Sequence, residues 1–378
     1  MVEWKKLGEV CVSLRKEIIK QGDLKDDGKY PVVNSGITLY GYYDDYNNEA
    51  NAFTVASRGE YAGFITYMND NFWAGGLCYP YRSKNESICL TKYMYSYLKN
   101  KERYIMDTLV MRGGIPALNK ADVDKILIPI PSLSEQQRIV SILDTFTSSI
   151  SNLKQQIEER RKQYEYERDL LLDLEGKEGV EMKKLGEVGV FIRGNGIQKA
   201  DFVEEGYSCI HYGQIHARYG FSAKEAISKI EESLYKKCKK AKTGDVILAT
   251  TSEDAEGVAK PFVWLGEEDV AVSGDAFIYH HNQIGKFMGY QFLTRKFMQF
   301  KVKYATGAKV VRISGDNMAK FEIPLPPLST QSRIVSILDT FEQSISNLEE
   351  QLAMREKQYE YYRNQLLTFE GEEERGKT

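Results

Sequence analysis

Arg138-Ile-Val-Ser-Ile-Leu-Asp-Thr-Phe146 occurs twice in this chain, the second time unbroken as Arg333–Phe341. Outward from it, residues 128–176 and 323–371 align without a gap at an offset of 195, and 32 of 49 positions match. The stretch opens on Ile-Pro-Ile-Pro (128–131), which is extended because each proline pushes its predecessor out of the helical region. From Leu133 and Leu328 on, neither copy contains Gly or Pro until Glu-Gly at 175–176 and 370–371, a helix stop. Ser134, with Gln137 three residues on, reads as an N-cap and capping box; Ser329 is the counterpart, with Ser332 in place of the glutamine.

A heptad runs through both copies. Ile139, Phe146, Leu153, Ile334, Phe341 and Leu348 fall at one core position, and Leu143, Ile150, Ile157, Tyr164, Leu338, Ile345, Leu352 and Tyr359 at the other, alternately four and three residues apart. Arg160 and Arg355 share the core position of Ile139 and Ile334, costly in isolation, and read as a register device near an acidic partner. Forty residues make a helix about 60 Å long. Two such seams in one chain pair most simply with each other, antiparallel, about an approximate two-fold axis.

A second repeat has a different offset, 178: Glu-Trp-Lys-Lys-Leu-Gly-Glu-Val (3–10) against Glu-Met-Lys-Lys-Leu-Gly-Glu-Val (181–188). Between these anchors and the long repeats lie residues 11–127 and 189–322, which differ in length and share little. One frame is duplicated and carries two unlike inserts. Both inserts alternate apolar runs with Gly and Asn/Asp turns. Strands are expected at Ala52–Ser57, Gly63–Tyr67, Ile88–Leu90, Asp245–Thr251, Lys260–Leu265 and Asp275–Tyr279, and single helices at Tyr93–Val110 and Ile284–Tyr304. The fold class is α+β: two globular mixed α/β domains joined by two long antiparallel helices in an intramolecular coiled coil with pseudo-two-fold symmetry. The divisions are 1–132, a first helix 133–176, 177–327, a second helix 328–371 and a tail 372–378.

The 378 residues carry a net charge of −3, with 42% hydrophobic and 28% charged residues, which suits a folded globular chain and excludes a simple polycation. Lys and Arg slightly outnumber Asp and Glu in 1–133 (17 against 16) and 177–328 (22 against 19), so the acidity sits in the long repeats. No apolar run is long enough for a membrane span, and the start, Met-Val-Glu-Trp-Lys-Lys, has no apolar segment behind it. The five cysteines lack metal-site spacing and read as reduced thiols of a cytoplasmic protein.

No catalytic constellation is visible. The four histidines (211, 216, 280, 281) have no Cys or carboxylate at ligand spacing, and neither Gly-x-Ser-x-Gly, Pro-Asp nor an Asp/Asn-Pro-Pro-aromatic tetrapeptide occurs. Gly371-Glu-Glu-Glu-Arg-Gly-Lys-Thr378 fits a phosphate-loop pattern in letters only. It follows a helix instead of a strand, and three glutamates repel phosphate. Catalytic, cofactor and metal residues are therefore expected to be none.

The ordered duplication resembles the specificity subunits of type I restriction-modification enzymes. The likeness rests on Pro-(Ser/Pro)-Leu-Ser…Gln-(Gln/Ser)-Arg-Ile-Val…Leu-Asp (131–144, 326–339), the heptad helices, and the Lys-Lys-Leu-Gly-Glu-Val starts. It implies that each insert is a target-recognition domain reading one half of a bipartite asymmetric target in double-stranded DNA. It implies helices that act as spacer and docking site for two methyltransferase subunits, with restriction subunits in the full complex. It also implies no catalytic centre here, with S-adenosylmethionine, ATP and Mg on the partners. The competing reading is a coiled-coil interaction scaffold without DNA specificity. Candidate DNA contacts are Ser57, Arg58, Arg82, Lys84 and Arg112 in the first insert, and Arg218, Thr251, Ser252, Lys260, Lys309 and Arg312 in the second, since Arg reads guanine and Ser/Thr serve bases or phosphates. Tyr40, Tyr42, Tyr43 and Tyr46 are expected to pack. Tyr164, Tyr166, Tyr359, Tyr361 and Tyr362 are suggested as partner-binding surface.

Overall fold

The computed structural model describes residues 2–307 and 310–369. They form two compact units, residues 1–154 with 350–378 and residues 155–349, so the division runs through the long helices.

Each unit is built on one small platform, and it explains why two repeats with different offsets exist. In the first unit the strand Glu3–Lys6 pairs antiparallel with Leu127–Ile130, Glu3 opposite Ile130. In the second, Glu181–Lys184 pairs with Glu322–Leu325 in the same sense. The anchor is thus the hydrogen-bonding partner of the Ile-Pro stretch. The Leu, Gly and Glu of Lys-Lys-Leu-Gly-Glu-Val each have a task. Leu7 and Leu185 are fully buried. Gly8 and Gly186 lie where a Cβ would sit 3.1 Å from Asp124 and Ala319. Glu9 and Glu187 accept from the backbone N–H of Lys6 and Lys184, capping the one-turn helices Leu7–Val10 and Leu185–Val188.

The inserts add sheets. The first has a four-stranded sheet ordered Cys11–Ser13, Cys78–Ser83, Ala52–Ala56, Ile65–Met68, and a three-stranded one. The second has two five-stranded sheets. Strands occur within the expected Ala52–Ser57, Asp245–Thr251 and Lys260–Leu265 stretches, and Ile65–Met68 and Ala276–His281 overlap two more. The expected strand at Ile88–Leu90 is instead the lead-in to a helix, with Leu90 its N-cap. Among the strands not expected from the sequence is Cys78–Ser83, which runs through Pro80. The Pro80 carbonyl accepts from Leu14 N–H beyond the end of the short Cys11–Ser13 strand, so the missing donor faces no ladder partner. The two expected single helices are each two: Thr91–Asn100 and Glu102–Thr108, then Gly285–Gln291 and Arg295–Tyr304. In the second pair, Thr294 Oγ1 caps the restart by accepting from Phe297 N–H at 3.2 Å.

The long helices span Leu133–Leu172 and Leu328–Leu366, each beginning one residue before the serine expected as its N-cap, Ser134 or Ser329. The expected Ser134–Gln137 box does not form: Ser132 Oγ accepts from Glu135 N–H, and Gln137 is exposed. Gln136 and Gln331, both fully buried, do the work instead. Gln136 accepts from Leu90 N–H at 2.9 Å and donates to the Ile88 and Pro131 carbonyls. Gln331 accepts from Ile284 N–H and donates to the Gln283 side chain and the Pro326 carbonyl. Each amide ties the start of a long helix to the first turn of the domain's own helix.

Each unit holds the first half of one long helix and the second half of the other, antiparallel. In the first unit Ile139 and Leu143 enter the core, which Leu367 completes; in the second, Ile334 and Leu338 enter and Leu172 completes it. Phe146 packs on Tyr359 with ring centroids 6.3 Å apart, and Phe341 on Tyr164 at the same separation. Arg363 lies over Tyr359 and Arg168 over Tyr164. Ile157 is buried, while Ile150, Leu153, Ile345, Leu348 and Leu352 are half-buried, as a two-helix seam leaves them. Trp4 meets Phe369 edge-on at 6.5 Å, so the two ends of the described chain lie together.

Arg160 and Arg355 do not find the expected acidic partners. Arg160 bonds Gln163 on its own helix, and Arg355 sits over the Phe146 ring. The interhelical ion pairs are Lys154–Glu356 in the first unit and Arg161–Glu349 in the second. At the offset of 195, Lys154 corresponds to Glu349 and Arg161 to Glu356. These are the only two sign reversals between the aligned copies, and they face each other. First-type helix against first-type would oppose Lys154 to Arg161; second against second would oppose two glutamates. The charges therefore select unlike helices. We expect Lys154→Glu with Arg161→Glu to lower stability by about 1–2 kcal/mol at low salt, with the effect fading at high salt, because the pairs are half-exposed. Adding Glu349→Lys and Glu356→Lys should restore the urea midpoint; a quadruple variant no more stable than the double would refute the pairing role.

Candidate nucleic-acid interface

In the first domain the central strand Ala52–Ala56 is buried throughout and delivers Ser57 and Arg58 to its end. Ser57 is itself buried, its backbone bonded to Leu77 and Leu118, so its side chain is not presented as expected. Arg58 is exposed and bridges Ala117. Gly59 follows at φ 94°, a conformation that favours glycine, and donates to the Pro116 carbonyl at 2.9 Å. Met111 and Ala117 exchange two backbone hydrogen bonds, closing the loop that carries Arg112.

The second domain repeats this scheme. Strand Val246–Ala249 leads to Thr251–Ser252, which pairs with Val311–Arg312, Thr251 opposite Arg312. Thr306 and Arg312 exchange two hydrogen bonds, as Met111 and Ala117 do, and both pairs are separated by the same offset of 195. His216 Nε2 contacts the Thr251 carbonyl at 3.0 Å, and Lys260 Nζ donates to the His216 carbonyl at 3.1 Å. Thr251, Ser252, Lys260 and Arg312 are thus brought together, with Arg218 two residues beyond His216. Lys309 lies outside the described residues.

Hydrogen bonding separates these candidates. Arg82 spends its guanidinium on the Asn51, Glu49 and Ala50 carbonyls and the Glu49 carboxylate. Lys84 donates to the Gly8 and Glu9 carbonyls, neutralising the end of the one-turn helix. Lys260 is desolvated, which lowers its pKa. These three hold the fold. Arg112 donates to the Met106 carbonyl and lies 3.7 Å from Asp107. The guanidinium groups of Arg58, Arg218 and Arg312 are exposed and have no hydrogen bond or ion pair among the described residues.

The remaining polar chemistry is structural. His211 Nδ1 accepts from Gly213 N–H, and His281 Nδ1 accepts from Gln283 N–H. His280 bonds the buried Asp245 at 2.8 Å. Burial, with His280 beside it, pushes His281 down to about 4, so it is neutral at physiological pH. All five cysteines are buried, and desolvation raises every thiol pKa. Lys236 pairs with Glu232 and Lys240 covers the Tyr235 ring, so part of the lysine run 236–242 is engaged. Tyr43 packs on Trp73 and Tyr46 on Tyr30, whereas Tyr40 and Tyr42 are exposed. Of the helix tyrosines, Tyr164 and Tyr359 face the paired helix, while Tyr166, Tyr361 and Tyr362 are exposed.

No helix among the described residues is long and apolar enough to cross a membrane. Compared with known proteins, the chain matches the type I restriction modification DNA specificity domain over residues 1–160 and 177–354. It is 28% identical over 392 residues to the EcoR124I/EcoR124II type I restriction enzyme specificity subunit of Escherichia coli, covering 97% of this chain and 94% of that one. It is also 28% identical over 404 residues to a putative type I restriction enzyme specificity subunit of Haemophilus influenzae, covering 97% and 96%. The crystal structure of a type I restriction-modification S subunit from M. genitalium superposes with a TM-score of 0.66 over 97% of both chains at 16% identity, a likeness of fold.

Proposed function

Since this chain belongs to the type I restriction-modification DNA specificity family, we propose that its two inserts read the two halves of one interrupted, asymmetric duplex target. The observation that carries this reading is the placement of two unlike inserts on one duplicated frame. In each, a central strand ends beside a closed loop and an unpaired arginine stands at their junction, Arg58 just past the strand in the first domain and Arg312 at the base of the loop in the second. A duplicated frame fixes position; unlike surfaces on it read unlike sequences.

In this reading Arg58, Arg112, Arg218 and Arg312 contact bases or phosphates, with Thr251 and Ser252 beside them. Tyr166 and Tyr361, exposed at equivalent positions of the two helices, contribute to the surface on which two methyltransferase subunits dock. Restriction subunits join the full complex. Bond-making chemistry, with S-adenosylmethionine, ATP and Mg, belongs to those partners. Replacing residues 11–127 with the matching block of a relative, in the assembled complex, should change one half of the methylated sequence and leave the other intact. Sequencing of methylated sites reads this directly; a change in both halves, or in neither, would refute modular reading.

A further inference from the structure

We propose that the loop Met111–Ala117 lies directly against the DNA duplex, with Ile115 as its apolar point of contact; this rests on the reading of the first domain as a DNA reader. Ile115 is 72% exposed and Met111 54% exposed. The loop that displays them is fixed at its base. Two Met111–Ala117 hydrogen bonds close it, Arg58 bridges Ala117, and Gly59 N–H binds the Pro116 carbonyl. A loop held this way presents its tip in one place.

Charge identifies the occupant. Arg58 and Arg112 flank the loop, and Arg103, on the preceding helix, is almost wholly exposed. The acidic groups here are Asp107, 3.7 Å from both Arg103 and Arg112, and the exposed Glu60 just after Arg58, so three arginines against two carboxylates leave a net positive charge facing outward. A polyanion with apolar base edges suits such a surface. Gly113 supports close approach: a Cβ there would meet nothing within 4 Å, so the protein's own packing does not demand the glycine, and its absence of side chain leaves backbone open to a ligand. The second domain keeps the combination. Val310 stands at the position of Ile115, offset by 195, and is 42% exposed two residues before the unpaired Arg312.

The test places charge at the tip in the complex assembled with its methyltransferase subunits. Ile115→Lys adds one phosphate neighbour, so the plot of log affinity against log salt should steepen by about 0.9, an extra loss of about threefold between 50 and 200 mM salt. Ile115→Glu should weaken binding at low salt by a similar factor or more. The site is exposed, so thermal melting of both variants should be unchanged. A wild-type complex that binds its target while neither variant alters affinity or salt slope overturns the placement. Loss of methyltransferase co-purification in Ile115→Glu overturns it too, because the loop would then be a protein contact. A wild-type complex without sequence preference would refute the DNA-reading premise itself, a result distinguishable from the other two.

Discussion

Gln136→Ala is expected to destabilise the first unit by about 2–4 kcal/mol, and Gln331→Ala the second by a similar amount. The reasoning is one of unmet partners. Removing the Gln136 amide strands the Leu90 N–H at the start of a helix that has no side-chain cap, and leaves the Ile88 and Pro131 carbonyls without their donor. The site is fully buried, so water does not replace the bonds without a cavity opening. Gln136→Glu should fare no better, since a carboxylate accepts from Leu90 but cannot donate to the two carbonyls. Because the pair Gln136–Leu90 lies within one unit and Gln331–Ile284 within the other, hydrogen exchange should report each loss mainly in its own unit. Uniform loosening of both units by either variant would show that the amides do not act locally.

That pair of glutamines marks where the sequence stopped being readable. They sit inside the repeat, adjacent to the residue chosen as the capping glutamine, and the one signal in the letters of which glutamine points inward was that the duplication keeps Gln136 as Gln331 while Ser332 replaces Gln137. The choice depends on the Ile88–Leu90 turn meeting the helix start, a contact across nearly fifty residues. The frame itself was legible because helical period and duplication are local signals: an apolar seam every three or four residues, uninterrupted by Gly or Pro, specifies a long helix whatever surrounds it. The antiparallel pairing was legible from two copies in one chain. The ion-pair positions were present in the letters as the only two sign reversals of the repeat, whereas the core arginines Arg160 and Arg355 bond Gln163 and cover the Phe146 ring. The sheets were harder. Cys78–Ser83 contains a proline, and only the short length of its neighbour makes that harmless. Surface chemistry was hardest: Arg58 and Arg82 look alike in sequence, and what separates them is whether backbone carbonyls happen to surround the guanidinium.

Arg58 and Arg82 should therefore behave in opposite ways when each is replaced by alanine. Arg82→Ala removes the donor set that holds the Glu49, Ala50 and Asn51 carbonyls, at a cost of about 1–3 kcal/mol in stability. Its effect on DNA binding by the folded fraction should be small. Arg58→Ala removes a side chain with no partner among the described residues, so stability should move by less than about 0.5 kcal/mol. Its DNA affinity should fall by about 1–3 kcal/mol, roughly fivefold to 150-fold, if it reads a base, with relaxed discrimination at one position of one half-site. If it contacts a phosphate instead, all sequences should weaken together and the salt slope should drop by about one. Arg312→Ala should do the same for the other half of the target. The double variant should lose the sum of the two free energies, because the two arginines belong to separate units and share no neighbour. Urea midpoints paired with binding titrations at two salt concentrations settle all four arms. Stability lost with Arg58 and affinity lost with Arg82 would reverse the assignment of which cations build the domain and which face its ligand.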